Sequence, residues 1–412
     1  MSRSWNRMET WLGLIVLLVG GVLAFVAGLH VYVTSTAETL HPDPQRVPSA
    51  IAAPPDPHWT QAVARGQQIM RAGIAARNIP GLSVAVGVGN ALVWAEGFGW
   101  ADLDDRTPVT AATRFRLGDT SIALTSAAAG LLIEDGRLGL DQPVQTYVPA
   151  YPVKAWPVTL GQVMGHVGGI SGGGGDEEPL DESCDGPIDG LARFAGHPLR
   201  FEPGTQFRYS QYDWILVSAA IERAAGESFT SYMRTRVFEP TGMTATREDA
   251  PRGAVSQRAT PYFPRYSADP RYGLHPMREG SYHCFAGAGA FISTPSDLVR
   301  FGLALGNGQL VRPQTVTRLQ TPQTLRDGSS TGYGLGWSLE TVTIAGVSST
   351  VAGHDGRLLG GAAVSFLTVP DRRLVIAVMA NISYADPRSL ALDVARAFAD
   401  QAPVSASAGA SR

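Results

Sequence analysis

The chain has 412 residues, 44% of them hydrophobic and 17% charged, with a formal charge of −3. That balance offers no electrostatic footprint for nucleic acid. Its 47 glycines and 28 prolines follow no period, which excludes collagen-like and wholly disordered classes. The 33 basic residues include one lysine, Lys154, so chemistry that needs an amine must use that residue or none.

Residues 11–33 carry no formal charge and are long enough to cross a bilayer as a helix. The apolar core of a secretory signal is shorter, about 7–15 residues, which favours an uncleaved signal anchor. Cleavage near Ser35-Thr36-Ala37 is the other reading. Arg3 and Arg7 precede the span, so residues 1–10 are expected in the cytoplasm and the remainder on the extracytoplasmic, periplasmic side. Residues 34–58, with Pro42, Pro44, Pro48, Pro54, Pro55 and Pro57, read as an extended tether.

A helix is expected over 61–78, then alternating strands at Leu82–Val88 and Ala91–Phe98 around a Gly89-Asn90 turn. The middle, about 112–310, is mostly helical, with runs at Ile122–Ile133, Trp214–Ala225 and Pro295–Leu305. Strands return at Leu335–Val342, Gly346–Val351, Ala362–Val369 and Leu374–Met379, with a turn at Pro370-Asp371. A helix over Arg388–Ala399 and a disordered tail, 402–412, complete the chain. The class expected is α/β (α+β), a single domain over 59–401. Its antiparallel sheet is built from both chain ends and flanked by helices, with a mainly helical subdomain inserted and a cleft between the two parts.

The two cysteines, Cys184 and Cys284, lie in an apparently exported chain. A bridge between them would close a loop of about 100 residues, worth about 4–5 kcal/mol in the chain-entropy model. Two unpaired thiols are the alternative. Neither has a CxxC partner, so zinc and thioredoxin-like chemistry have no support. The run Gly172–Gly175 leads into Asp176, Glu177, Glu178, Asp181, Glu182 and Asp185. Its spacing fits no calcium loop and reads as a solvated loop. No metal or cofactor is expected.

Four stretches carry a family resemblance. They are Phe115-Arg116-Leu117-Gly118-Asp119-Thr120-Ser121-Ile122, Pro203-Gly204-Thr205 with Tyr209-Ser210-Gln211, Tyr333-Gly334-Leu335-Gly336-Trp337, and Gly353-His354-Asp355-Gly356. Supporting pieces are His166-Val167-Gly168-Gly169-Ile170 and Gly289–Leu298. As an ordered set over about 60–400 they resemble the penicillin-recognising serine hydrolases, among them class C β-lactamases, DD-peptidases and related esterases. The resemblance implies a β-lactamase/transpeptidase-like fold. It also implies a serine at a helix head with a lysine one turn later, a proton-relaying tyrosine, and a Lys/His-x-Gly strand on the opposite wall.

The centre of that pattern is substituted. Asp119 stands at the serine position and Ile122 at the lysine position. Arg116-Leu117-Gly118 before and Ala123-Leu124-Thr125 after both fit, which argues against a slipped register. Ser121 lies about 200° around the helix and should face away from the cleft. Asp119 is a carboxylate nucleophile in one reading and a helix N-cap in another. Tyr209 and His354 match the family, Gly356 completes His-x-Gly, and Gln211 replaces an asparagine. Lys154 sits in a surface loop.

The leading expectation is a membrane-anchored pseudoenzyme that binds a peptidoglycan fragment or a protein partner. A fixed carboxylate would repel an anionic ligand such as a β-lactam. The alternative is an amide or ester hydrolase using Asp119, Ser121 or a bound water with Tyr209 and His354. A third is a domain whose role is assembly into oligomers.

Overall fold

The computed structural model describes residues 2–171, 184–249, 255–277, 280, 282–356 and 360–402, with backbone only for 2–10. A long helix, α1 (Ser2–Ser35), comes first, and its stretch from Trp11 onward is apolar and exposed. The strand β1 (Ser49–Ile51), helix α2 (Thr60–Ala76) and strands β2 (Gly81–Val88) and β3 (Ala91–Gly99) follow. The helical part contributes α3 (Ser121–Glu134), α4 (Gln211–Ala225) and α5 (Pro295–Gly306). The chain returns through β4 (Ser338–Ile344), β5 (Val347–Gly356), β6 (Ala363–Val369) and β7 (Leu374–Ala380) to α6 (Pro387–Ala399).

Among the described residues these strands form one seven-stranded sheet, in the order β1-β3-β2-β7-β6-β5-β4, with every pairing antiparallel. The two chain ends meet where β2 pairs with β7. In β7, Leu374, Ile376 and Val378 point into the layer with α2 and α6, while Val375, Ala377 and Met379 point the other way. Both faces are covered, which is why the strand reads as an unbroken apolar run. The face of β2 toward α5 is trimmed to Ser83, Ala85 and Gly87, and a Cβ on Gly87 would meet Val299 at 2.6 Å. Small residues there let α5 pack against the sheet.

Four details differ from the sequence expectation. The proline-rich 34–58 segment holds β1, which pairs with β3, so part of it lies on the sheet edge. The strand expected from Leu335 begins at Ser338, because Gly336 turns the chain with φ +94°. The strand expected to stop at Val351 continues to Gly356 and so carries His354. The helical part also holds a three-stranded sheet, Phe115–Arg116, Phe291–Ser293 and Arg247–Glu248, and a hairpin, Tyr262–Pro264 with Leu274–Pro276. These strands are two or three residues long, too short for periodicity to register.

Cys184 and Cys284 form a disulfide with their Cα atoms 5.0 Å apart, so the free-thiol reading falls. Lys154 donates to the carbonyls of Ala195 and His197 (2.7 Å to the latter), tying its loop to the helical part. The acidic run at 172–183 and the tail from 403 lie outside the described residues. Among the described residues no cluster of three or more His, Cys, Asp or Glu could hold a metal ion.

Candidate active site

The short strand Phe115–Arg116 delivers the chain to the site, and the Leu117 N–H donates to Phe291 O. Gly118, at φ +53°, turns it into a 3-10 turn over Gly118–Thr120 that runs into α3. Asp119 therefore projects from the turn at the helix head. It does not cap the helix. Thr120 occupies the N-cap position, and its hydroxyl donates to His354 O at 3.2 Å. The capping reading of Asp119 is corrected: the carboxylate turns toward α4 and accepts from Gln211 Nε2 at 2.7 Å.

Ile122 is fully buried in the apolar layer beneath the turn. Ser121 is also fully buried, and its hydroxyl has no hydrogen-bond partner, so it presents nothing to a ligand in the cleft. Gly356 is where β5 crosses the turn, and a Cβ there would lie 2.1 Å from Leu117 O. Only glycine lets strand and helix head approach this closely.

Tyr209 ends the loop before α4, with its ring 4.5 Å from that of His166 and 6.0 Å from that of His354. It is 38% exposed, the most open of these side chains. Burial of the phenol end, then the hydrogen-bonded Asp119 carboxylate, push its ionisation well above the usual tyrosine range. Both effects keep it a neutral hydroxyl donor.

His354 Nδ1 faces Asp355 O at 3.1 Å, and Tyr333 Oη lies 3.0 Å from Nε2. A carbonyl only accepts, so Nδ1 carries the proton and Tyr333 donates to Nε2. Burial pushes the imidazole down to about 4, so the ring is neutral near pH 7. Tyr333 is raised well above the ordinary value by burial and by Asp119.

Beneath this layer His166, at φ +57° and fully buried, places Nδ1 2.6 Å from Asp213 Oδ2. The Trp214 indole N–H faces Nε2 and the Ser210 backbone N–H faces Nδ1, each at 3.3 Å. Burial lowers His166 to about 3 and holds the Asp213 carboxyl well above the usual carboxylate range.

The structure thus gathers Asp119, Tyr209, Gln211, His354 and Gly356 into one cluster at the head of α3, while Ser121 and Ile122 lie in the protein interior. Sequence reasoning gave no role to Tyr333, His166, Asp213 or Thr120. Tyr333, His166 and Thr120 stand inside the quoted motifs, and Asp213 is an acid in the first turn of α4, two residues after Gln211; those were the available signals.

A helix head facing a His-x-Gly strand, with a tyrosine from an inserted helical part, is the architecture of the penicillin-recognising class. The chain belongs to the Beta-lactamase family, which it matches over residues 67–401. It is similar to serine beta-lactamase-like protein LACTB, mitochondrial, of Mus musculus, at 26% identity with 77% of each chain covered. The D-amino acid amidase of Ochrobactrum anthropi SV3 superposes with a TM-score of 0.68 at 21% identity, covering 83% of this chain and 99% of that one. The octameric penicillin-binding protein homologue of Pyrococcus abyssi superposes with a TM-score of 0.67 at 22% identity, covering 80% and 76%. These two structures bear on the fold alone.

Proposed function

We propose that this is a membrane-anchored β-lactamase-fold protein whose pocket binds without covalent turnover. One observation carries the reading. The nucleophile position holds Asp119, bonded by Gln211 at 2.7 Å, and the lysine position one turn later holds fully buried Ile122. A carboxylate at the helix head cannot form the acyl ester that a serine would, and isoleucine cannot accept its proton. The pocket walls, Tyr209, Tyr333 and His354, keep polar groups that can orient a ligand.

The exposed apolar stretch of α1, with Arg3 and Arg7 before it, supports a signal anchor with the domain on the extracytoplasmic side. The Cys184–Cys284 bridge suits an oxidising compartment. A peptidoglycan fragment or a protein partner is the ligand class put forward, and the octameric relative makes self-assembly a further property to measure.

The alternative, a hydrolase using Asp119 with Tyr209 and His354, rests on the hydrogen bond between Tyr209 and the carboxylate. One experiment separates the two. Domain 36–402 and its Asp119→Ser/Ile122→Lys variant are incubated with a β-lactam and an activated ester, following turnover and intact mass. Neither turnover nor a mass shift is expected of the natural sequence, and acylation is expected only of the variant. Turnover by the natural sequence that Asp119→Ala abolishes would overturn the proposal.

A further inference from the structure

Helix α1 does not end in open solvent. Its last turns lie against the connection between strands Tyr262–Pro264 and Leu274–Pro276. The His30 ring meets Tyr272 edge-on with centroids 6.3 Å apart, and Val33 is buried. Arg265 donates to the carbonyl of Thr36 at 3.2 Å and its hydroxyl at 3.4 Å. Just beyond, Asn78 accepts from the Leu40 N–H at 2.8 Å and donates to Glu38 O at 2.9 Å and to Pro270 O at 3.3 Å. The chain is therefore fastened at 36, 38 and 40, directly after the helix.

The span sets a depth scale. Trp11 and Tyr32 stand 21 residues apart, about 31 Å along a helix. That matches a hydrocarbon core of about 30 Å. Both side chains are exposed, and tryptophan and tyrosine favour the two bilayer interfaces. With Trp11 at one interface and Tyr32 at the other, His30 lies about 3 Å inward of Tyr32. Tyr272, packed on His30, is then held at interfacial depth by the fold itself.

The turn that bears Tyr272 also carries Arg265, Tyr266 and Arg271, a composition suited to headgroups and glycerol. It is not a polybasic patch. Its charges are two arginines and Asp269, and Arg271 is already paired with that carboxylate at 2.6 Å. Recognition would be aromatic and weakly dependent on salt.

Resting on the reading of α1 as a membrane span, we infer that the turn 265–272 is a membrane-interface contact. It seats in the headgroup layer beside the outer end of the span, so the domain lies on the bilayer and does not swing from a tether. The base of the same hairpin packs near Gly361, where a Cβ would meet Pro261 and Met277 at 2.5 and 2.7 Å. Gly361 belongs to the connection between β5, which carries His354, and β6.

The test uses the full chain in phosphatidylcholine nanodiscs. Both native cysteines are in the disulfide, so one introduced cysteine gives one nitroxide site. Labels are placed by Arg271→Cys, Tyr32→Cys and, as an aqueous reference, Val153→Cys, whose native residue is 87% exposed. Oxygen and nickel-chelate accessibilities report depth. The oxygen-to-nickel ratio at 271 should rise several-fold above that at 153, match the ratio at 32, and survive added salt. An aqueous reading at 271 beside an interfacial reading at 32 overturns the contact while leaving the span intact. Aqueous readings at both overturn the span, and the contact with it. A ratio at 271 that collapses in salt overturns the aromatic character assigned to the contact.

Discussion

The Gln211 amide donates to the Asp119 carboxylate at 2.7 Å, joining the first turn of α4 to the head of α3. The bond needs glutamine's reach. Gln211→Asn withdraws the amide by about 1.5 Å and leaves a nearly buried carboxylate one donor short. A loss of about 1–3 kcal/mol in urea denaturation is expected. Asp119→Asn keeps an acceptor for Gln211 and should lose less. Equal losses would show that the pair does not set local stability.

Ile122 lies beneath that carboxylate, one helical turn on and fully buried. A lysine introduced there needs a partner, and Asp119 is the residue one turn away on the same face. Ile122→Lys alone is therefore expected to be more stable than Asp119→Ser/Ile122→Lys, by about 2 kcal/mol or more, because removing one partner of a buried pair is expensive. A double-mutant cycle in denaturant reads the coupling directly. Zero coupling would mean that the lysine points elsewhere.

The sequence made most of this architecture readable wherever an element was long and periodic. Strands β2, β3, β6 and β7 lie within a residue or two of their expected bounds, since each is an apolar run between clear turn residues. The head of α3 was readable for another reason: the residues flanking Asp119 and Ile122 resemble the family's and mark where the helix begins. What escaped depended on contacts distant in sequence. β1 looked like proline-rich linker because its hydrogen bonds come from β3, some 45 residues later. The His166–Asp213 pair spans 47 residues, and neither side chain announces the other. Asp119 carried the composition of an N-cap, and only the position of Gln211 showed where its carboxylate goes.

Ser121 offers a test of the buried-hydroxyl argument. Its Oγ is enclosed without a hydrogen-bond partner. Such a group costs about 1–3 kcal/mol of desolvation with no return. Ser121→Ala should therefore leave stability unchanged or raise it by up to about 1 kcal/mol, with ligand binding and any turnover unaffected. A loss of either activity would place the hydroxyl in the site after all.

The disulfide closes a loop whose ends are 100 residues apart in sequence. In the chain-entropy model that is worth up to about 4–5 kcal/mol. Cys184→Ser/Cys284→Ser should lower the unfolding free energy of the oxidised domain toward that of the reduced natural domain. Cys284 is buried, whereas Cys184 is partly open, so reductant should reach the bridge from the Cys184 side. No difference between the oxidised and reduced protein would show that the rest of the fold already confines the loop.

His354 sets a pH dependence whose sign can be worked out. Burial pushes its folded value down to about 4, whereas an unfolded histidine titrates near about 6.5. Between these values the unfolded chain holds a proton that the folded chain refuses. Stability from this residue is therefore complete above about pH 6.5 and falls as pH drops toward about 4. The full shift corresponds to roughly 3 kcal/mol, at about 1.4 kcal/mol per unit. Other groups titrate in the same range, so the informative quantity is the difference between the natural chain and His354→Gln. The glutamine cannot take up the proton, and its amide can still face Tyr333. The natural chain's advantage should shrink as pH falls from 7 to 4.5, and Tyr333→Phe should alter its size without changing its direction. Parallel pH profiles for the natural chain and His354→Gln would show that His354 is not held neutral by the pocket, and the assignment of Tyr333 as donor to Nε2 would fall with it.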